Sequence, residues 1–393
     1  PGNANAMTGA QPSLEKARPE SPKAAARLRV LIVAPSLGIL GGQAVQAADL
    51  YNRLREEPTL EAGFLPVNPA LPGPLRALQR VKYLRTLVTW PVYCLSLLLR
   101  VPRYDVLHVF SASYLSFVLA PLPAMLAGRL YRRKVVLNYH SGEAEDHLRR
   151  WRSAASAIRL ADSIAVPSSY LVDVFRQFGL QARAIFNIVE TERFPFRERN
   201  PLRPVFLSNR NLEPMYNVAC TLRAFALIQR RIPDARLIVA GYGSQRSQLE
   251  ALAQELGLRD VSFLGRVTPQ EMPQVYDQAD IYLNSSEIDN MPLSILEAFA
   301  CGLPVVTTDA GGIPYVVEHG RTGLIVGKGD YRAMADAALR LLEDPALAAA
   351  LIRNARRECS KYRWESVRQQ WLELYHGVET DARQMASAAG GKA

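Results

Sequence analysis

Short unbroken apolar runs, each closed by a polar residue, alternate along the chain with longer stretches of three-to-four spacing. Val30 to Ala34, in RVLIVAPS, is the first run. Five consecutive apolar positions predict a strand buried on both faces. A loop bearing Gly38, Gly41 and Gly42 follows, then a helix from about Gln43. The glycines let a ligand approach the backbone, but their spacing is not that of a dinucleotide fingerprint. DVLHVFS (105–111), KVVLNYHS (134–141) and DSIAVPS (162–168) repeat the strand pattern and end on Ser111, His140 and Ser168.

A second series begins near 203. RPVFLSNR, ARLIVAGYG, VSFLGRV, IYLNSS and LPVVTTD read as strands, with helices around 217–231, 246–256, 270–278 and 292–301. Alternating strand and helix predicts parallel sheets with ligands at the carboxyl ends of the strands. The fold class is α/β, with two doubly wound Rossmann-like domains over 27–195 and 196–362 and a hinge in TERFPFRERNPLRP (191–204). WESVRQQWLELYH lies in a late amphipathic helix (363–379), and 380–393 reads as a flexible tail. PGNANA before Met7 reads as a tag remnant, and 1–26 as disordered.

Two uncharged stretches break the alternation. Residues 86–99 (TLVTWPVYCLSLLL) are too short to span a bilayer and contain Pro91. They follow RALQRVKYLR, where Leu75, Leu78, Val81 and Leu84 recur among Arg76, Arg80, Lys82 and Arg85. A basic amphipathic segment over 75–99 suits an anionic membrane surface. A core-facing helix with snorkelling arginines is the other reading. Residues 111–128, with Pro121 and Pro123, read as a buried helix.

Charge bears on that choice. The net charge is +10, yet residues 1–200 hold 26 Lys+Arg against 15 Asp+Glu, and the remainder 21 against 22. The whole basic excess is in the first half, which is either a solvated surface or a face for something anionic. The four cysteines are scattered, which argues against a disulfide framework or zinc site and suits a reducing compartment. No signal-peptide pattern is present, so the expectation is a cytoplasmic protein, peripheral on the membrane.

The richest chemistry is in SSEIDNMPLSILEAFACGLPVV (285–306). A helix starting near Pro292 suits proline's fixed φ in a first turn. Asp289 then stands at or just before its N-cap and Glu297 inside it, roughly 12 Å away. Two carboxylates that far apart can hold the two ends of an extended ligand, and the helix N-terminus between them favours a phosphate.

This stretch resembles the signature of the retaining GT-B glycosyltransferases of family 4 (GT4): Glu, seven residues, Glu, then Ala-x-Ala-x-Gly-x-Pro-Val-Val, with the shorter Asp289 standing here in place of the first Glu. Here Asp289 and Glu297 are followed by Ala298-Phe299-Ala300-Cys301-Gly302-Leu303-Pro304-Val305-Val306, and DAGGIPYVVEHGRTGLIV (309–326) is similar too. The resemblance covers 29 to about 376. It implies a GT-B fold, two domains facing a cleft with the C-terminal helix crossing back. Glu297 is implied to bind the ribose of a nucleotide sugar, and Asp289 to sit beside the donor sugar or its departing phosphate. Asn290, Met291 and Leu293 would present amides, while Pro292 has no N–H. Arg210 matches the arginine that neutralises the diphosphate, with Asn211 beside it. The usual lysine about five residues on is missing; Met215 and Tyr216 stand there, and Asn211, Tyr216 or Asn217 would offer hydrogen bonds but no charge.

Gly241 and Gly243 resemble the turn under the nucleotide, and the backbone of 262–267 the base site. Gly41, Gly42 and Gln43 match the loop near the transferred group, and His140 the histidine facing the donor sugar. Glu143, Glu145 and Asp146 are acceptor-side candidates or a solvated acidic turn. Asn187 matches an asparagine of structural role. No Asp-x-Asp pair ends a strand, so neither metal nor cofactor is expected. The resemblance implies a retaining transferase taking a nucleoside-diphosphate sugar, UDP- ahead of GDP-, to a saccharide or lipid-linked acceptor in surface polysaccharide assembly. Its rivals are a catalytically weak nucleotide-sugar-binding partner in a membrane complex and an epimerase on the same fold. Nucleic-acid binding is weaker, since no recognition motif accompanies the charge.

Overall fold

A computed structural model describes residues 27–36, 42–71 and 82–377. The strands are β1 (Leu28–Ala34), β2 (Leu60–Pro66), β3 (Val106–Ser111), β4 (Lys134–Tyr139), β5 (Ser163–Val166), β6 (Arg183–Ala184), β7 (Val205–Ser208), β8 (Arg236–Ala240), β9 (Val261–Gly265), β10 (Ile281–Asn284), β11 (Val305–Thr308) and β12 (Leu324–Val326). They form two six-stranded parallel sheets, β2-β1-β3-β4-β5-β6 and β12-β11-β10-β7-β8-β9. Val30 to Ala34 have no exposed surface, as five adjacent apolar residues on a two-sided strand require.

In the first half the helices are α1 (Gly42–Arg55), α2 (Lys82–Arg100), α3 (Tyr114–Leu119), α4 (Pro121–Leu130), α5 (Ala144–Arg150), α6 (Arg152–Ile158) and α7 (Ser169–Gln177). The second half holds α8 (Val218–Arg231), α9 (Arg246–Glu255), α10 (Met272–Gln278), α11 (Leu293–Cys301), α12 (Tyr331–Glu343), α13 (Pro345–Glu358) and α14 (Trp364–His376). The four helices expected between the second set of strands are all present.

The last helix, α14, lies against the first sheet. Its Trp371, Leu374 and Tyr375 pack with Ile32, Phe110 and Val136, and Arg368 grips Glu57 at 2.5–2.6 Å. Two strands the pattern did not mark, β2 and β6, are the edges of the first sheet, where a strand need not be apolar on both faces.

One expectation is corrected here. Residues 111–128 are not one buried helix. The chain breaks at Ala120 between α3 and α4, and Leu115 and Leu126 stand 61% and 51% exposed. Within 191–204, where the hinge is expected, one part is fastened. Arg197, Arg199 and Arg203 all converge on the buried Asp280, next to β10, which fastens 197–203 to the second sheet. Part of the 75–99 segment, 75–81, and Gly38 and Gly41 lie outside the described residues.

Candidate active site

In each sheet the strand order reverses once, between β1 and β3 and between β7 and β10. Beyond the carboxyl ends of strands at such a switch point the flanking loops part and leave a crevice. The loops after β7 and β10 carry Arg210 and Asp289, and the two side chains meet, Nη2 to Oδ2, at 2.6 Å. Both are nearly buried, at 12% and 9% side-chain exposure. Burial pushes the Asp289 carboxyl up and Arg210 partly offsets this. Burial alone would lower the guanidinium, but Asp289 outweighs it and holds Arg210 firmly charged. Arg210 also donates to Ser294 Oγ at 3.1 Å and lies 4.2 Å over the Tyr216 ring, while its buried Nε has no partner. Tyr216, in the region where the usual lysine is missing, therefore supports the arginine through its π face.

Pro292 is the N-cap of α11, one residue before the expected first-turn position. The Asn290 N–H donates to Asp289 Oδ1 at 2.9 Å, and Pro292 has none, which leaves Met291 and Leu293 to present amides. Glu297 sits farther along α11. The Tyr276 hydroxyl donates to its Oε2 at 2.7 Å, and Asn209, itself bonded by Tyr282, donates to Tyr276. Burial raises the Glu297 carboxyl, with Tyr276 opposing that shift. One carboxylate oxygen is thus fixed by protein, and the other is placed to accept ligand hydroxyls.

Gly241 and Gly243 follow β8. A Cβ on Gly241 would stand 2.3 Å from the Arg210 carbonyl oxygen, and one on Gly243 2.3 Å from that of Leu212. Only glycine lets these two loops lie so close, and their contact sets the Arg210 backbone.

The opposite wall comes from the first half. Gln43 Nε2 donates to the Ser111 carbonyl at 2.9 Å, and Gln46 clamps Ile188 by two bonds of 2.8 Å. His140, after β4, is half-buried and stacks 5.1 Å from Phe110. Burial pushes its pKa down to about 3, so the imidazole is neutral at physiological pH. The two halves touch at the acid loop. Ser168, capping α7, donates from its hydroxyl to Asn290 Oδ1, and Gly142 packs on the backbone of 289–290. Between the walls lies a cleft of about 430 Å³, lined by Gln43, His140, Arg210, Asn211, Gly241, Asp289, Asn290, Met291, Leu293 and Glu297.

The model of Glycosyltransferase Family 4 matches residues 40–193, and that of Glycosyl transferases group 1 matches 190–358. The chain belongs to the GT4-type glycosyltransferases of GT-B fold. A GDP-mannose-dependent alpha-(1-6)-phosphatidylinositol monomannoside mannosyltransferase of Mycolicibacterium smegmatis is 29% identical to this glycosyltransferase over 296 residues, 67% of the chain and 76% of the relative. A D-inositol 3-phosphate glycosyltransferase of Corynebacterium urealyticum is 37% identical over 167 residues, 40% of the chain and only 39% of the relative. Among solved structures, Anabaena HepE in complex with UDP and glucose superposes with a TM-score of 0.71 at 20% identity, covering 89% of this chain and 100% of that one. Sucrose-phosphate synthase of Thermosynechococcus elongatus gives 0.71 at 21%, covering 92% and 100%. Both share the fold.

Several residues named from the glycosyltransferase sequence stand elsewhere. Glu143 is exposed and Glu145 pairs with Arg149 at 2.6 Å; neither lines the cleft. Asp146 pairs with Arg150 at 2.8 Å. Asn217 caps α8 and donates to Glu287, and Gly243 backs the Arg210 loop from outside the cleft wall. Gly42 opens α1. Asn187, read as structural, lines the cleft.

Three charged cleft residues were not anticipated: Asp49, Glu190 and Arg193. Arg193 donates to Glu190 at 3.0 Å and to the Pro269 carbonyl at 2.9 Å, spanning linker and second half. Burial, then the nearby Glu190, pushes Asp49 up to about 7. One signal was available: Gln43, Gln46 and Asp49 fall at i, i+3 and i+6, a polar stripe on one face of α1.

The first half also predicts acid lability. His108 is fully buried, 2.7 Å from the Tyr375 hydroxyl and 2.9 Å from Asn138 Nδ2, and burial holds its pKa down at about 3. The unfolded chain takes up a proton near pH 6.5 that the folded chain refuses. Stability is therefore fully present above that pH and falls below it, by about 1.4 kcal/mol per pH unit for this group. Thermal melts across that range will show a declining midpoint, with a shallower slope in His108→Gln.

Proposed function

We propose that this glycosyltransferase moves a hexosyl group from a UDP-sugar to an acceptor hydroxyl with retention of anomeric configuration. The observation that carries the reading is the row formed by Arg210, the Met291 and Leu293 amides and Glu297 along one cleft wall. A cation and free amides suit a diphosphate, and a half-free carboxylate suits the two ribose hydroxyls. The β-phosphate departs on the face where the acceptor arrives, and its oxygen takes the acceptor's proton as the new glycosidic bond forms. Arg210 stabilises the charge that develops on that phosphate. Neutral His140 serves as a hydrogen-bond partner for the donor sugar without setting a second positive charge beside an oxocarbenium-like centre. UDP is favoured over GDP because HepE, on the same fold, was solved with UDP; the mycobacterial relative uses GDP-mannose.

The acceptor is a saccharide on a lipid or at a membrane surface. This reading is supported by the basic first half and by a relative whose name specifies phosphatidylinositol monomannoside. The absence of the usual lysine, with Met215 and Tyr216 in its region, motivates the second reading, a nucleotide-sugar-binding partner of low activity.

Thermal shifts with UDP-, GDP- and ADP-sugars test the donor site. At a hundredfold excess over Kd the matching donor stabilises by about 2.7 kcal/mol. Glu297→Ala is expected to lose most of that shift. An equal shift in wild type and variant would remove Glu297 from the ribose site. Binding without release of nucleoside diphosphate would favour the second reading.

A further inference from the structure

Among the described residues fourteen large apolar side chains stand exposed, and ten of them are on α2, α3 and α4. Leu87, Leu95 and Leu99 are 72%, 57% and 62% exposed, and Leu115, Leu126 and Leu130 are 61%, 51% and 65%. The α2 positions are spaced eight and then four residues apart along one helix face, while Thr89, Tyr93 and Leu97 turn inward and are buried. A helix that is apolar on both sides belongs between two apolar layers, and here the protein supplies only one. The three helices form one platform. Trp90 Nε1 donates to the Leu119 carbonyl at 2.9 Å, and the Tyr93 hydroxyl to that of Ala120 at 2.7 Å, tying α2 to the α3–α4 junction.

The charge flanking the platform is predominantly basic. Between 100 and 133 the chain carries Arg100, Arg103, Arg129, Arg132 and Arg133 against a single acid, Asp105, and of these Arg129 is paired with Asp162 at 2.8 Å. Asp105 is already paired with Arg29 at 2.9 Å. Arg103 and Arg132, just past the ends of α2 and α4, are exposed. No helix of the described residues is long and apolar enough to cross a membrane.

We infer that α2, α3 and α4 together form a docking platform for an anionic lipid bilayer, their leucines entering the acyl boundary and the flanking arginines meeting lipid phosphates. Apolar area supplies insertion and basic residues supply the preference for anionic headgroups. An interface with a second copy of the chain would not call for an unbalanced basic rim, because like charges would face one another. The platform is close to the cleft: α3 starts three residues after Ser111, whose carbonyl holds Gln43 in the cleft wall. Docking here keeps the cleft near the membrane surface. The inference deepens the acceptor reading above but does not depend on the identity of the donor.

Co-sedimentation of the full chain with phosphatidylcholine vesicles, with and without phosphatidylglycerol, tests it. Wild type is expected to bind the anionic vesicles and to be released by salt. Leu95→Asp with Leu99→Asp, and separately Leu126→Asp with Leu130→Asp, should each weaken binding by about tenfold or more. Arg103→Glu with Arg132→Glu should abolish the preference for phosphatidylglycerol. The nucleotide-sugar thermal shift, unchanged in these variants, reports that each is folded and that the donor site is separate. Failure of wild type to bind anionic vesicles would overturn the inference, as would unchanged binding in both leucine variants. A dimer dispersed by Leu95→Asp, without vesicle binding, would reassign the face to self-association. Loss of the donor shift in wild type would instead count against the proposed function and leave the platform standing.

Discussion

Arg210→Ala is expected to lower the release of nucleoside diphosphate from the matching nucleotide sugar by about 10²–10³-fold, the loss seen when one preorganised charge-stabilising donor is removed. The effect should be large because nothing nearby replaces the charge. Positions 215 and 216 are Met and Tyr. Arg193 also lines the cleft, but it is committed to Glu190 and the Pro269 carbonyl. Arg210 is also preorganised, held by Asp289 and Ser294 and lying over the Tyr216 ring. Alanine leaves the Asp289 carboxylate buried and unpaired, so some stability is lost as well. Arg210→Lys and the double variant Arg210→Ala/Asp289→Asn separate the two effects. Lysine keeps a charge but not the fork that bridges Asp289 and Ser294, and should fall between wild type and alanine. The double variant should recover stability without recovering turnover. Steady-state kinetics beside thermal melts measures both, and an unchanged kcat/KM in Arg210→Ala would remove this residue from the diphosphate site.

The second large effect is on stability. Asp280→Asn is expected to destabilise the protein by about 3–5 kcal/mol, the cost of breaking a buried charge network from one side. The Asp280 side chain is fully buried, with Arg197 at 2.5 Å, Arg203 at 2.8 Å and Arg199 at 3.6 Å. Arg199 is itself wholly buried and donates to the carbonyls of Tyr276, Ala279, Arg197 and Cys301. Burial pushes its pKa down to about 10, yet it stays charged at neutral pH. Burial alone would raise the Asp280 carboxyl, but Arg203 and Arg197 outweigh it and hold it below its ordinary value. Its contribution is therefore present above the unfolded pKa and is lost as pH falls through the lower folded one. Urea melts of wild type and Asp280→Asn should differ most at neutral pH and converge in acid. A variant within about 0.5 kcal/mol of wild type, the range of ordinary surface substitutions, would show that the linker is not anchored here.

Asp280 also shows what the linker's own sequence leaves hidden. TERFPFRERNPLRP has the prolines and charges of an exposed connector. Its anchor lies about eighty positions on, in a residue that looks like any acid opening a strand. The polar stripe on α1 marks Asp49 in the sequence, but its pairing was hidden for the same reason, since its neighbours Glu190 and Arg193 are remote in the chain. Tyr276 shares a hydroxyl between Glu297 and Asn209 only because α10 packs beside α11.

What the amino-acid sequence determined by itself was everything local. Buried parallel strands must be apolar on both faces, so the inner strands and the helices between them could be read directly. Asp289, Glu297 and the helix between them sit within nine residues, and Arg210 ends a strand, so their association with one cleft wall was legible as well. Only the tertiary structure decided which apolar helix stays uncovered, which acid meets which arginine, and which of the candidates reach the cleft. Glu145 turned to Arg149, whereas Asn187 came to the wall. Burial and pairing depend on what packs alongside, and packing partners are set by sheet order and crossover, which bring together residues that no local pattern connects.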